Sequence, residues 1–408
     1  MMKERAQRAI AECRHIATLS EEPGRITRRF LTAPTHDVHA HLSGRMKGLG
    51  MSVHVDAAGN LRGLWPAQEA GRKRLVLGSH IDTVPDAGAF DGVLGVMLAL
   101  EWVGLAAEMQ LPISIEVIAF SEEEGVRFGV PFLGSRAVAG TFDFEALALE
   151  DAEGVRVDQA IRAFGLDPAQ IGAAVLDKSA TGFLEIHIEQ GPVLEAEGLH
   201  VAAVSAIAGQ TRLKLAFGGH ANHAGTTPMN LRKDALAAAA EWVIAVEALS
   251  KKAEGLVGTV GHIVVEPNAG NVVPGYAQMS LDVRHANDAI RTAAIDSLLA
   301  SARAICSRRQ ISLERTDQLE QAAVPMDTRL TLFLSEAIEA AGFPAKTMPS
   351  GAGHDAMIMA ARVPTAMLFL RSPGGMSHHA AETVLEEDVE ASLLVGRAFL
   401  ERFAVGIE

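Results

Sequence analysis

LVLGSHIDTVPDAGAFDGVLGVMLALEWVGLAAEMQLPISIEVIAF, residues 75–120, is the stretch that decides the fold. It opens on an apolar run, Leu75 to Gly78, and crosses a Gly-rich polar turn. A Gly/Ala/Leu-rich helical run follows from about Val93 to Met109, and the stretch closes on a second apolar run, Ile113 to Phe120. Strand, helix and strand in that order predict a mixed or parallel sheet covered by helices, with ligands bound at the carboxyl ends of the strands. The residues that can do chemistry fall at those ends. His80 closes the first run, Asp82 follows it, Asp91 lies in the turn before the helix, and Glu122, Glu123 and Glu124 come directly after the second run.

Outward from this unit the texture changes once. From about Thr211 there is a strand (Arg212 to Phe217), a long helix (about Arg232 to Leu249) and two strands (Leu256 to Val265 and Tyr276 to Arg284). A further helix (about Asp288 to Arg308) and a strand (Ile311 to Glu314) complete an α+β unit of about 115 residues, a domain-sized insertion. After Pro325 the α/β texture returns, with a helix near Leu330 to Ala341, a strand near Thr365 to Leu370 and a closing helix from about Glu386 to Phe403. The expected architecture is an α/β catalytic domain with a mixed sheet flanked by helices, made of residues 1–210 and 327–408. An α+β domain at 211–326 interrupts it. No repeat, low-complexity tract or long polar linker is present.

Composition narrows the partner. A chain of 408 residues exceeds the size at which one core stops growing, and 49% hydrophobic with 21% charged residues suits a soluble globular protein. A net charge of −14 repels nucleic acid and anionic membranes, leaving a small solute as the expected partner. The N-terminus is too charged for a signal peptide and no run of about 18 apolar residues follows, so the chain reads as cytoplasmic. Cys13 and Cys306 are the only cysteines and form no CxxC pair, so any metal must be held by histidine and carboxylate.

Four segments supply such groups, and each alone has a plainer reading. His80 and Asp82 form an HxD in which Asp82 can accept the second ring N–H of a metal-bound His80, or they are a polar strand-to-loop turn. Three adjacent glutamates are costly unless solvated or neutralised by cations, so 122–124 is an acidic turn or the edge of a metal site. His187 lies in FLEIHIEQGPVLE, where Phe183, Glu185, His187 and Glu189 share one strand face, and a single strand histidine is more often structural. His378 and His379 sit in the Gly-rich loop SPGGMSHHAAE. Together, a carboxylate that can bridge, several histidines and a glutamate at strand ends of one α/β unit form the inventory of a two-metal hydrolase.

The motifs GSHIDTV, DAGAFDG, EEEGVRFG, LGSRAVAG, HIEQGPVLE, GHANHAGTTPM, NVVPG and SGAGHDA span nearly the whole chain. In content and order they resemble the N-carbamoyl-L-amino-acid hydrolases, allantoate amidohydrolases and β-ureidopropionases, a family of di-zinc carboxypeptidase-like amidohydrolases. The resemblance implies two divalent ions per subunit, zinc, manganese, cobalt or nickel. His80, Asp91 and His187 would hold one and Asp91, Glu124 and His378 the other, with Asp91 bridging. Glu123 would be the general base. Relatives carry a proline two residues after the last metal-binding histidine, whereas this chain has Ala380 there and a second histidine, His379. The spacing to Glu382 points to His378 as the ligand.

For the inserted domain the resemblance implies a lid that also forms a homodimer contact and supplies Gln210, Arg212, His223, Asn271 and Arg284. The histidine would stabilise a developing oxyanion, and Asn271 and Arg284 would hold a substrate carboxylate. A surface salt bridge is the plainer reading of Arg284, and His220 reads as structural. His354 and Asp355 are expected to shape the pocket loop. The leading expectation is cleavage of N-carbamoyl-L-amino acids to amino acid, ammonia and carbon dioxide. Allantoate, ureidoglycolate and N-carbamoyl-β-alanine are alternatives. A peptidase or aminoacylase, which would share the metal set, and a non-catalytic amino-acid sensor rank lower.

Overall fold

The strand Arg74–His80 is buried along its whole length, as a continuous apolar run requires when helices cover both faces of a sheet. The computed structural model describes residues 1–66 and 74–406. Among them this strand lies inside a nine-stranded sheet of order Ser52–Val55, Leu61–Trp65, Ser114–Phe120, Arg74–His80, Ala180–Ile188, Thr365–Leu370, Val201–Ile207 and Val324–Pro325, with Thr347–Ser350 also pairing to Val201–Ile207. The four strands Ser114–Phe120, Arg74–His80, Ala180–Ile188 and Thr365–Leu370 run parallel, and the flanking ones antiparallel. Parallel strands end on one edge. In register, His80 lies beside Phe120 and His187 beside Phe369, so the two histidines, the acidic loop after Phe120 and the loop after Leu370 share that edge.

The helix Val93–Glu108 is buried on all sides from Val93 to Ala106, which its lack of a polar face demands. Close approach is built in at Gly95, where an added Cβ would fall 2.0 Å from the Ile186 carbonyl oxygen. The one charge on that helix taken out of solvent, Glu101, is met by Arg5 and Arg8 of Met2–Ala17 and by Arg45 of Ala33–Gly48. The closing helix Glu386–Val405 packs on the same core through Phe399 against Trp102.

Chain compactness separates Met1–Ser205, Met326–Met348 and Ala352–Glu408 from a second unit, Ala206–Pro325 with Pro349–Gly351. The second unit has an antiparallel sheet of order Ile263–Glu266, Tyr276–His285, Gly209–Gly218 and Ser312–Gln321, with Val257–Thr259 also on Tyr276–His285. Burial along Tyr276–His285 alternates without exception, the period-2 signature of a half-covered sheet. The helices Ala235–Ser250 and Asp288–Arg309 share its core, where the Trp242 indole N–H reaches the Leu298 carbonyl at 2.9 Å. No described helix is long and apolar enough to cross a membrane.

His39 gives the fold an acid-sensitive point. It is buried in Ala33–Gly48 and meets Phe164 edge-on, while His36 stacks on the same ring. Burial, and secondarily His36, push its imidazole down to about 4 from an ordinary 6.5. Between those values the unfolded chain takes up a proton that the folded chain refuses, so this contribution is complete above pH 6.5 and is lost as the pH falls toward 4. The loss is worth about 2–3 kcal/mol. His39→Leu should therefore lose less stability than the wild type between pH 7 and 4.5, read from urea midpoints. Equal losses would clear His39 of the role.

Candidate metal centre

Asp91 is the hub. Its Oδ1 lies 3.2 Å from His187 Nε2 and 3.6 Å from His80 Nε2, and its Oδ2 lies 3.2 Å from His378 Nε2. His378 Nε2 is also 3.4 Å from Glu124 Oε1, and the two buried imidazoles face each other, Nε2 to Nε2, at 3.5 Å. The other ring nitrogens are already engaged, His80 Nδ1 with the Asp82 carbonyl at 3.0 Å and His187 Nδ1 with the Ile188 carbonyl at 2.9 Å. With Nδ1–H donating to a carbonyl, the neutral ring turns an Nε2 lone pair toward Asp91. Two such lone pairs and a carboxylate oxygen converging without a proton between them suit a cation. Tetrahedral bonds of about 2.0–2.1 Å would space ligand atoms by about 3.3 Å, close to the separations seen here. His80, Asp91 and His187 form one group that could hold an ion, and Asp91, Glu124 and His378 form a second.

Burial would raise the Asp91 carboxyl, but the imidazoles of His187, His378 and His80 gathered on its oxygens outweigh it whenever they carry a proton on Nε2, and then hold it well below the usual range. Asp91 and Glu124 push the His378 imidazole up to about 10. The turn itself needs glycine. Gly92 has φ +67, and a Cβ there would meet three atoms of the His80 ring at 2.5 Å, so the residue after the hub is pressed against a candidate ligand.

The acidic loop is held by Asp82, whose two oxygens accept the backbone N–H groups of Glu123 and Glu124 at 3.0 and 3.1 Å. Asp82 thus orients both the His80 ring, 3.4 Å away, and the loop carrying the candidate base. Glu122 accepts the Gly125 N–H at 2.5 Å, and burial with Asp82 beside it pushes its carboxyl well above the ordinary range. Glu123 is buried, and burial pushes its carboxyl well above the ordinary range, helped by Glu124, Asp355 and Asp82 and opposed by His80. Glu123 and Glu124 both group with His80, but they differ in place: Glu124 also faces His378 at 3.4 Å, and Glu123 is in no group with His378. In the next loop His378 sits at φ +54 with its ring on Asp91 and Glu124. His379 instead turns Nδ1 to the Ala381 N–H at 3.0 Å and is exposed.

Two groups around this centre, Glu382 and Gln190, had no assigned role in the sequence reading, and His354 and Asp355 were expected to shape the pocket loop. Glu382 accepts the backbone N–H groups of Phe90 and Asp91, both at 3.0 Å, and receives the Ser377 hydroxyl on its other oxygen at 3.2 Å. Burial, with Asp91 nearby, pushes its carboxyl up to about 7. Gln190, at φ +58, lays its amide nitrogen 3.2–3.3 Å from the oxygens of Asp91 and 3.1 Å from Ser377. His354 is buried edge-on to His187, with centroids 4.5 Å apart, and Asp355 beside it is wholly buried. Spacing to His378 hinted at Glu382; nothing local in the sequence marks the backbone it holds.

In the second unit Gln210, Arg212 and Arg284 gather on one carboxylate, Asp282. Gln210 Nε2 and Arg212 Nε reach Asp282 Oδ2 at 2.7 and 2.9 Å, and Arg284 grips both oxygens at 3.0 Å through Nε and Nη2. Register explains the cluster: Arg284 lies across from Gln210 and Asp282 across from Arg212, and residues two apart on a strand share a face. That pattern was legible, yet Asp282 was passed over. His223 lies across from Val272, and the Ala224 N–H bonds the Asn271 carbonyl at 2.9 Å, so His223 and Asn271 share a two-stranded ribbon. His223 Nδ1 accepts the Gly225 N–H at 3.1 Å, which places the proton of the neutral ring on Nε2.

Comparison with known proteins places the chain. The profile of peptidase family M20/M25/M40 matches residues 76–404, and the chain belongs to that metal-dependent family. It is 37% identical over 369 residues to the N-carbamoyl-L-amino acid amidohydrolase of Geobacillus stearothermophilus, covering 90% of each chain. It is 35% identical over 434 residues to a probable allantoate deiminase of Oryza sativa subsp. japonica, covering 97% of this chain and 88% of that one. Among solved structures it superposes on a hydantoinase/carbamoylase family amidase from Burkholderia multivorans with a TM-score of 0.91, at 31% identity and 97% coverage of both. Within the family, the protein is therefore an amidohydrolase of the carbamoylase and allantoate amidohydrolase group, a hydrolase of non-peptide C–N bonds.

Proposed function

We propose that this chain is a two-metal hydrolase that cleaves the ureido C–N bond of N-carbamoyl-L-amino acids, using one water to release amino acid, ammonia and carbon dioxide. The observation that carries the reading is the split of Asp91, with Oδ1 facing His80 and His187 and Oδ2 facing His378 beside Glu124. One carboxylate serving two ligand sets is what a bridged pair of ions needs. When bound, the ions supply Lewis acidity at the carbamoyl carbonyl and lower the pKa of the attacking water. Glu123 takes the proton from that water and returns it to the leaving nitrogen, a transfer worth about 10²–10⁴-fold from a positioned carboxylate. His223, its Nε2 protonated through the Gly225 contact, offers an N–H donor to the developing oxyanion.

Arg284 binds the substrate carboxylate, with Asn271 as a second donor. Asp282 and the Gly351 carbonyl use three of its five N–H groups, leaving two for a ligand. Gln210 and Arg212 share the charge of Asp282 and keep that carboxylate from cancelling the guanidinium outright. The unit bearing them acts as lid and homodimer contact, in keeping with the exposed apolar residues Ile244, Val257 and Ile263. Losing one partner of a desolvated charge pair costs about 2–5 kcal/mol, so Arg284→Ala should lower kcat/KM by roughly 10²-fold or more. It should also erase the preference for an acid over the matching amide while leaving metal content intact. A variant that still discriminates acid from amide as sharply as the wild type would leave Arg284 a surface salt bridge.

Allantoate is the second reading, supported by the likeness to the rice protein over 97% of this chain. The deciding experiment is ammonia release by the metal-reconstituted protein from N-carbamoyl-L-amino acids, allantoate, ureidoglycolate, N-carbamoyl-β-alanine and acyl dipeptides. The highest kcat/KM on a carbamoyl amino acid supports the first reading. The highest value on allantoate replaces it with the second.

A further inference from the structure

Residues 371–385 form the loop between the strand Thr365–Leu370 and the helix Glu386–Val405. The loop carries His378, whose side chain is half exposed and whose backbone lies at φ +54. A residue with a Cβ is disfavoured in that region, so the position of this ring must be imposed from outside the residue. The ends of the loop provide the means. Arg371, its first residue, donates from Nε to Asp388 Oδ2 at 2.9 Å and from Nη2 to Asp388 Oδ1 at 2.7 Å. Asp388 is in the first turn of the helix that ends the loop and is fully buried. His200 Nδ1 lies 2.7 Å from the same Oδ1, and the Arg371 backbone N–H donates to the His200 carbonyl at 3.0 Å. Because Arg371 also reaches Glu387 at 2.5 Å, His200, Glu387 and Asp388 receive a guanidinium where three such groups could otherwise have held an ion.

Between these ends the loop is tethered to the segment that follows His187. Ser372 Oγ accepts the Gln190 N–H at 3.0 Å, and the Gly374 N–H donates to Glu195 at 2.9 Å. Both tethers precede His378. On its far side Glu382 is held by the backbone N–H groups of Phe90 and Asp91, both at 3.0 Å, and beyond Glu382 the path runs to the helix turn where Asp388 is held.

We propose that Arg371, Asp388 and His200 form a positioning clasp that closes the ends of the 371–385 loop and thereby holds the His378 imidazole against Asp91 and Glu124. The inference rests on the reading of His378 as a ligand of one of two ions. A bidentate guanidinium–carboxylate pair fixes direction as well as distance, and that suits a device acting on a ligand at the far end of a loop. None of the three residues takes part in proton transfer.

The test uses Arg371→Met in the full chain, with two measurements. Amide hydrogen exchange at 373–382, taken as purified and again after chelation, should quicken by about tenfold or more, while amides 75–80 keep wild-type rates. Metal titration should show one ion bound about 10–100-fold more weakly and the other unchanged, the scale expected when a partner that orients a ligand is lost. Exchange rising evenly over loop and sheet, both ions weakened alike, or no change in either measurement would overturn the clasp. Should Arg371→Met fail to fold, Arg371→Lys carries the same two measurements, since it keeps the charge and loses the fork; wild-type behaviour there would overturn it equally. The chelated exchange is read without ions. A wild type binding fewer than two ions would thus sink the two-metal reading, while the exchange still judges the clasp.

Discussion

Glu123→Gln is expected to lower kcat by about 10²–10⁴-fold while leaving metal content at the wild-type level. The amide keeps the shape of the side chain but cannot accept the proton of the attacking water. Metal content should hold because Asp82 ties this loop through backbone N–H groups of Glu123 and Glu124, and those contacts do not involve the altered group. Glu124→Gln is the control, since Glu124 faces His378 beside Asp91; it should lower metal occupancy. Elemental analysis alongside turnover separates the two. Reversed phenotypes would shift the base by one position.

Asp91→Asn should be more damaging still, removing detectable turnover together with tight binding of both ions. Three imidazoles converge on this carboxylate, two on Oδ1 and one on Oδ2. An amide presents one oxygen and one NH₂ in their place, so one ligand set gains a donor where it needs an acceptor. The fold should persist, because Glu382 holds this turn through the backbone N–H groups of residues 90 and 91, which the substitution keeps. The check is metal content together with the thermal transition. Retention of both ions at wild-type affinity would remove Asp91 from the bridging role.

Much of this was legible from residues 75–120 because the centre of a parallel sheet writes itself as uninterrupted apolar runs. Arg74–His80, Val93–Glu108 and Ser114–Phe120 lie where Leu75–Gly78, Val93–Met109 and Ile113–Phe120 were read. Tyr276–His285 was legible through its period of two. The run Leu256 to Val265, read as one strand, is broken into Val257–Thr259 and Ile263–Glu266; it is an edge with Gly258 and Gly261 inside it, and little packing enforces continuity there. The helix Ala33–Gly48 left no clear stripe because its inner face includes Thr35 and His39 beside Val38, Leu42 and Met46. At the centre, the candidate ligands were named from motifs and their resemblance, and His80, Asp91, Glu124, His187 and His378 come together in groups that could hold an ion. The supports could not be read that way: Glu382 acts on backbone N–H groups nearly three hundred residues away in sequence, Asp282 acts across a sheet register, and Arg371 acts through the end of its own loop.

The central claim, a metal pair bridged by Asp91 and serving a ureido substrate, is tested most directly by returning ions to chelated protein while ammonia release from an N-carbamoyl-L-amino acid is followed. Turnover is predicted to be absent at the start, to rise as manganese, cobalt or zinc is added, and to level off only when elemental analysis finds two ions per chain. Full turnover in protein shown to be metal-free, or a plateau at one ion per chain, would contradict it.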